Sequence, residues 1–179
     1  FADGLRLVSK RGEIMAKVSE GGMAAGIGLE PAQIQAILAD HEAEGVDLAN
    51  FNSPGQTVIS GPSEKINALA PTFKEAGAKL FVILKVSGAF HSGMMRNPAH
   101  EFATFIKHCS FDELKFPVIS NVEATPYRNS ESISELLTRQ IHSAVRWTES
   151  IQYLHKQGVT DFLECGPGKV LTKLLRQID

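Results

Sequence analysis

The stretch GMAAGIGLEPAQIQAILADHEAEGVDLANFNSPGQTVISGPSEKINALAPTFKEAGAKLFVILKV, residues 22–86, decides the fold. It opens on a run of small and apolar residues, Gly22 to Leu29, that reads as a strand. Glu30-Pro31 follows, with proline suited to a first helical position, and the spacing predicts a helix over residues 31–42. Val46 to Asn50 and Gln56 to Ser60 are two short runs separated by Asn52-Ser53-Pro54-Gly55, so they predict a β-hairpin. Ser63 caps a second predicted helix that Gly77 stops after Ala76. Leu80 to Val86 is dense in apolar and β-branched side chains and reads as a strand. The predicted order β-α-β-β-α-β is the ferredoxin-like split motif, small enough to be an insert.

On the N-terminal side, Phe1, Leu5, Leu7, Val8, Ile14 and Met15 recur at helical spacing with charged residues between them, which predicts a helix ending near Val18. The chain opens in mid-helix without an initiator methionine, and is therefore expected to be a piece of something longer. Beyond residue 92 helices alternate with single strands. Helices are expected from Asn97-Pro98 to His108, Ser130 to His142, Trp147 to Lys156 and Lys169 to Ile178, with strands at Phe116–Val122 and Val159–Cys165. Strands separated by helices imply a parallel sheet covered on both faces. Two strands are too few for such a sheet, so this part is expected to lack partner strands or to pair with another chain. The expected division is a larger α/β subdomain, residues 1–18 and 92–179, around a smaller one, residues 19–91.

Composition removes several classes of function. Lys plus Arg number 18 against 20 for Asp plus Glu, a balance that supplies no field for nucleic acid or an anionic membrane. No apolar run approaches a bilayer span and the N-terminus lacks the zones of a signal peptide, so a soluble protein is expected. Cys109 and Cys165 lie far apart without metal-ligand spacing, which argues against zinc and against a disulfide scaffold and fits a reducing, cytoplasmic compartment.

Three features invite chemistry. Gly22-Met23-Ala24-Ala25-Gly26-Ile27-Gly28 fits a glycine-rich phosphate loop, but the preceding residues 16–20 are too polar for a buried strand. Neither Tyr127 nor Tyr153 has a lysine four positions on, so the pattern reads as a strand of small residues. Five of the six histidines sit among polar helix neighbours without i,i+4 partners. His91 differs, standing after the Leu80–Val86 strand in Ser87-Gly88-Ala89-Phe90-His91-Ser92-Gly93, where glycines let backbone approach a ligand. Position alone favours a structural histidine over a general base, and no Gly-x-Ser-x-Gly elbow is present to supply a nucleophile. Arg11 suits a carboxylate clamp, yet a lone arginine near a helix end reads as exposed.

Five ordered blocks together resemble one family: Leu5-Arg6-Leu7-Val8 with Arg11-Gly12-Glu13-Ile14-Met15; Asn50-Phe51-Asn52-Ser53-Pro54-Gly55-Gln56 with Val58-Ile59-Ser60-Gly61; Gly88-Ala89-Phe90-His91-Ser92 with Met95; Val145-Arg146-Trp147; and Glu164-Cys165-Gly166-Pro167-Gly168-Lys169-Val170-Leu171. They are similar to malonyl-CoA:acyl carrier protein transacylases, most of all those that serve polyketide synthases. The resemblance implies an α/β-hydrolase-like domain with an inserted ferredoxin-like subdomain, and malonyl transfer from coenzyme A to a carrier protein in polyketide or fatty acid biosynthesis. It implies His91 as the catalytic base, oriented by the backbone carbonyl of Gln140, and Arg11 as the partner of the malonyl carboxylate. Phe90 would crowd a 2-methyl branch, with Gly88 standing where the family's specificity motif carries a histidine. Asn50 and Asn52 are candidates for the pocket rim, with turn chemistry as their other reading. No cofactor and no metal is implied. The family's serine elbow lies upstream of the segment matching Phe1, so the 179 residues alone are expected to be inactive. The alternative is a serine-less module that docks a carrier protein or a synthase partner.

Overall fold

A computed structural model describes residues 1–41 and 43–178. The chain runs α1 (Ala2–Met15), β1 (Gly22–Ile27), α2 (Pro31–Asp40), β2 (Asp47–Ser53), β3 (Gln56–Gly61), α3 (Ser63–Ala68), α4 (Ala70–Glu75) and β4 (Leu80–Ile83). A 3₁₀ turn, Gly93–Met95, then leads into α5 (Arg96–Ile106), α6 (Ser130–Gln140), α7 (Trp147–Lys156) and α8 (Val170–Leu175). The expected end of α2 at Glu42 lies outside the described residues. Pro31 begins α2, and the Gln33 side chain returns to accept from the Glu30 amide at 2.9 Å, satisfying a donor that the helix leaves free. The single helix expected over residues 63–76 is divided at Leu69, two residues before Pro71, whose ring nitrogen has no hydrogen to continue the ladder.

The four strands form one antiparallel sheet in the order β2-β3-β1-β4. The hairpin is tighter than its turn-forming residues imply: Ser53 pairs with Gln56, so the loop shrinks to Pro54-Gly55. The period-two alternation of β1 and β3 sends side chains to two faces. On one face Ala24 and Ile59 meet Ile34 and Ile37 of α2, Ile66 of α3 and Phe73 of α4. Gly26 is a glycine for this packing, because a Cβ there would stand 2.8 Å from the Phe73 ring. The glycine pattern at the start of β1 thus serves a helix-on-sheet contact. On the other face Met23, Ala25, Ala49 and Val58 form a smaller cluster on which Leu84 and Phe90 pack. A third cluster joins Ile14 and Met15 of α1 to Met95, Phe102 and Ile106 near α5 and to Ile141 after α6, with Phe90 against it too. Phe90 therefore bridges the sheet and the helices.

The two strands expected at Phe116–Val122 and Val159–Cys165 are absent. In the first, Ile119 makes one isolated antiparallel bridge to Pro126, and residues 159–165 have no ladder partner among the described residues. A strand exists only through its neighbours, and the unmatched segments leave Phe116 and Leu163 exposed at 70% and 87%. No parallel sheet forms among the described residues, and the helices after residue 92 pack on one another and on the antiparallel sheet. The outer edge of β2 is covered instead by Val145, whose amide donates to Ala49 O at 2.8 Å while its carbonyl accepts from the Phe51 amide at 2.9 Å. No helix among the described residues is long and apolar enough to cross a membrane.

Phe73 is fully buried and stacks at a tilt on Phe81, their ring centroids 4.7 Å apart. Phe73→Ala is expected to lower stability by about 3–5 kcal/mol, the usual cost of emptying a core phenylalanine site. Urea unfolding measures it, and a loss below about 1 kcal/mol would contradict this account of the core.

Candidate active site

A helix cannot satisfy its last carbonyls, and the end of α6 gives two of them to one residue. The final turn tightens, with the Ile141 and His142 amides donating to Thr138 O and Arg139 O, each at 3.2 Å. The Gln140 carbonyl accepts from His91 Nδ1 at 2.8 Å, and the Ile141 carbonyl accepts from the His91 amide at 3.2 Å. A carbonyl only accepts, so Nδ1 carries the hydrogen and the lone pair of the neutral ring lies on Nε2, the form a general base needs. His91 also holds a left-handed backbone, φ +60°, uncommon outside glycine and a mark of sites where surroundings over-determine the chain. Its neighbours fix it there. Ser92, fully buried, donates from Oγ to Ala89 O at 2.7 Å, and Asp47 of β2 accepts from the Gly93 amide at 2.7 Å.

Burial dominates the chemistry of the ring and pushes the imidazole below its ordinary range; the Gln140 and Ser143 backbone opposes this, while the nearby Arg11 cation reinforces it. His91 is accordingly neutral at neutral pH. Arg11, four residues before the end of α1, shares the cleft with His91, and its Nε is buried without a hydrogen-bond partner. Burial lowers the Arg11 pKa, though guanidinium remains charged in proteins. The exposed reading of Arg11 is thus wrong for its Nε, which is buried at the cleft. That cleft encloses about 420 Å³. Met15, Met23, Leu84 and Phe90 make its apolar wall, and Asn50 and Ser87 add polar groups. A cation, a neutral base and apolar side chains lining one cleft suit a ligand with an anionic end and a reacting centre.

The structure gathers Arg11, Asn50, Phe90, His91 and the Gln140 carbonyl. Asn52 does not join them. It is the extra residue of a bulge in β2, between the Phe51–Thr57 and Ser53–Gln56 pairs. Met15, Met23 and Leu84 escaped sequence reasoning because an apolar residue lining a cleft carries the same signal as one in a core. Among the described residues no cluster of three or more His, Cys, Asp or Glu could hold a metal ion.

The family model for the acyl transferase domain matches residues 1–178. The chain belongs to this family. The acyl transferase domain is similar to the polyketide biosynthesis protein ThaF of Burkholderia thailandensis, 48% identical over 178 residues that cover 99% of this chain and 15% of that one. It is also similar to the polyketide biosynthesis malonyl CoA-acyl carrier protein transacylase PksC of Bacillus subtilis, 45% identical over 179 residues, 99% of this chain and 62% of that one. Among solved structures, the malonyl CoA-acyl carrier protein transacylase of Burkholderia pseudomallei superposes with a TM-score of 0.93 at 39% identity, over 99% of this chain and 62% of that one. The acyl transferase domain thus shares their α/β fold with its small antiparallel sheet, and spans 62% or less of the length of each.

Because burial depresses the His91 pKa, the unfolded chain binds the proton more readily than the folded one. The contribution is present in full above the unfolded value of about 6.5 and is lost as pH falls through it toward the folded value. The domain is therefore expected to lose stability as pH falls below about 6.5, and His91→Gln to flatten that slope, as read by urea unfolding. An unchanged slope would refute the burial of His91. Gln140→Ala is expected to leave the His91 titration nearly unmoved in NMR, since the backbone carbonyl supplies the contact.

Proposed function

We propose that this acyl transferase domain moves a malonyl group from coenzyme A to the phosphopantetheine thiol of an acyl carrier protein, in polyketide or fatty acid biosynthesis. The observation that carries the reading is the shared cleft: a partly buried arginine with an unpartnered Nε faces the same space as a neutral histidine whose Nδ1–H is tied to a helix end. Arginine's planar fork matches a carboxylate bidentately, and malonyl thioesters carry a carboxylate two carbons from the reacting carbonyl. A clamp of this kind is superfluous for a simple ester, which separates the reading from a general hydrolase.

In the reading, a serine Oγ attacks the thioester carbonyl as His91 Nε2 takes its proton, and the coenzyme A thiolate leaves with that proton. The carrier-protein thiol then attacks the acyl-serine, His91 again accepting the proton and returning it to the serine oxygen. No cofactor enters either step. These 179 residues contain no Gly-x-Ser-x-Gly elbow, and the reading takes the serine from outside them. Phe90, anchored on two clusters, presents a ring that disfavours a 2-methyl branch. Antiparallel strand order 4-1-3-2 and the βαββαβ sequence support residues 19–91 as a ferredoxin-like subdomain inserted in an α/β-hydrolase-like one, residues 1–18 and 92–179. Two free cysteines support a cytoplasmic setting.

The test follows His91 by NMR while malonate is added. Neutralising the Arg11 cation is expected to raise the His91 titration midpoint, and Arg11→Gln to abolish the response; a midpoint indifferent to malonate in the native chain would reject the reading. In a form of the protein that contains the serine, Arg11→Gln is expected to cost about 100-fold or more in kcat/KM, the worth of two hydrogen bonds to a charged group at about 1.5–3 kcal/mol each. The 179-residue chain incubated with malonyl-CoA is expected to gain no covalent malonyl group in intact-mass measurement.

A further inference from the structure

Two connections join the antiparallel sheet to the helices: residues 16–21, from α1 into β1, and residues 84–92, from β4 toward α5. The cleft is lined by Arg11, Gly12 and Met15 of α1 with Ala16 of the first connection, and by Leu84, Val86, Ser87, Phe90 and His91 of the second. The connections cross at van der Waals range, with the Ala89 methyl the side chain that faces Gly21. A Cβ on Gly88 would stand 2.6 Å from the Val18 carbonyl oxygen, 3.4 Å from Met95 Cε and 3.6 Å from the Phe90 ring. A Cβ on Gly21 would stand 2.6 Å from Ala89 Cβ and 2.8 Å from the Ala89 nitrogen. Both sites are therefore blocked by backbone or by a buried methyl, neither of which can swing aside. Neighbouring carbons rest at about 3.5–4.0 Å, so any side chain at either glycine would part the two connections by roughly 1 Å.

We infer that Gly21 and Gly88 are positioning residues, and that their crossing sets the separation of Arg11 from His91. The inference rests on reading Arg11 and His91 as one site. Each end of the crossing is otherwise committed. Beyond it on one side, Ile14 and Met15 lock α1 into the helical cluster; on the other, the α6 carbonyls, Ser92 and Asp47 lock the residues from Ala89 to Gly93. The crossing is where these two anchored segments meet backbone to backbone, so a displacement there is carried to the cleft that they line. A misplacement of about 1 Å is enough to cost ~100-fold in rate where reacting groups must meet in a fixed geometry.

The test is a double-mutant comparison read on the His91 titration by NMR in the full 179-residue chain, a readout that does not depend on acyl transfer. Arg11→Gln in the otherwise native chain removes a nearby cation and raises the His91 midpoint. In the Gly88→Ala and Gly21→Ala backgrounds the same Arg11→Gln increment is expected to fall by more than half, whereas Gly4→Ala, on an exposed face with nothing near its Cβ, leaves it intact. A purely structural role would lower the melting temperature of the two crossing variants and leave the increment unchanged, and that result overturns the inference. Ala89→Gly only removes the methyl abutting Gly21 and meets no neighbour. It slackens the same crossing, and an increment unaltered by it overturns the inference even where the alanine variants fail to fold. Absence of any increment in the native chain rejects the shared site itself, which is a separate failure.

Discussion

The end of helix α6 is the constraint on which the site depends. A helix must leave its last carbonyls to something else, and here they take the His91 ring nitrogen and the His91 amide together. That one arrangement fixes the tautomer, the direction of the ring and the left-handed backbone that is uncommon outside glycine. It also relies on where α6 begins. Asn129 caps the helix by accepting from the Ser132 amide at 3.0 Å, and the Ser132 side chain answers by accepting from the Asn129 amide at 3.3 Å. The start therefore sets which carbonyls lie at the other end.

Charge in the cleft follows from a competition that burial wins. A helix C-terminus and a carbonyl acceptor both favour protonated imidazole, yet removal from water outweighs them, and the Arg11 cation pushes the same way. The result is a neutral base beside a permanent cation. Arg11 meets the opposite problem, since a guanidinium loses hydration on burial and its Nε finds no partner within the protein. A group left in that state is costly unless a ligand completes it. The two halves of the cleft are thus incomplete in complementary ways: one lacks an anion and the other lacks a proton to remove.

The sheet and its helices were legible because their signals are local. Pro31, the hairpin turn, Gly77 and the period of the apolar residues each act within a few positions, and the predicted β-α-β-β-α-β order holds. Errors fell where structure depends on distant chain. Phe116–Val122 and Val159–Cys165 have strand composition, but composition cannot provide the neighbour that makes a strand, and Phe116 and Leu163 stay exposed. Asn52 stands apart from the cleft lining for a related reason. Its neighbours in sequence, Asn50 and Phe51, are placed by cross-strand pairing, and the bulge that sets Asn52 apart is a matter of register.

Much of the site is made by backbone, which explains why so little of it could be read from residue identity. Gln140 acts through its carbonyl, Ile141 likewise, Gly93 through its amide, and Gly21 and Gly88 through the side chains they lack. Only Arg11 and His91 announce their chemistry by type, and each alone has a commoner structural meaning. What distinguishes them is convergence: helix α1, the connection after β4 and the end of α6 come from separate parts of the chain and meet at one cleft. A motif can mark each segment, but the meeting itself is a property of packing, carried by Phe90, which packs on both the sheet cluster and the helical one. The ring that borders the cleft is thereby also the contact that ties its two supports together. The substrate-facing surface and the core that positions it cannot be altered independently at that residue.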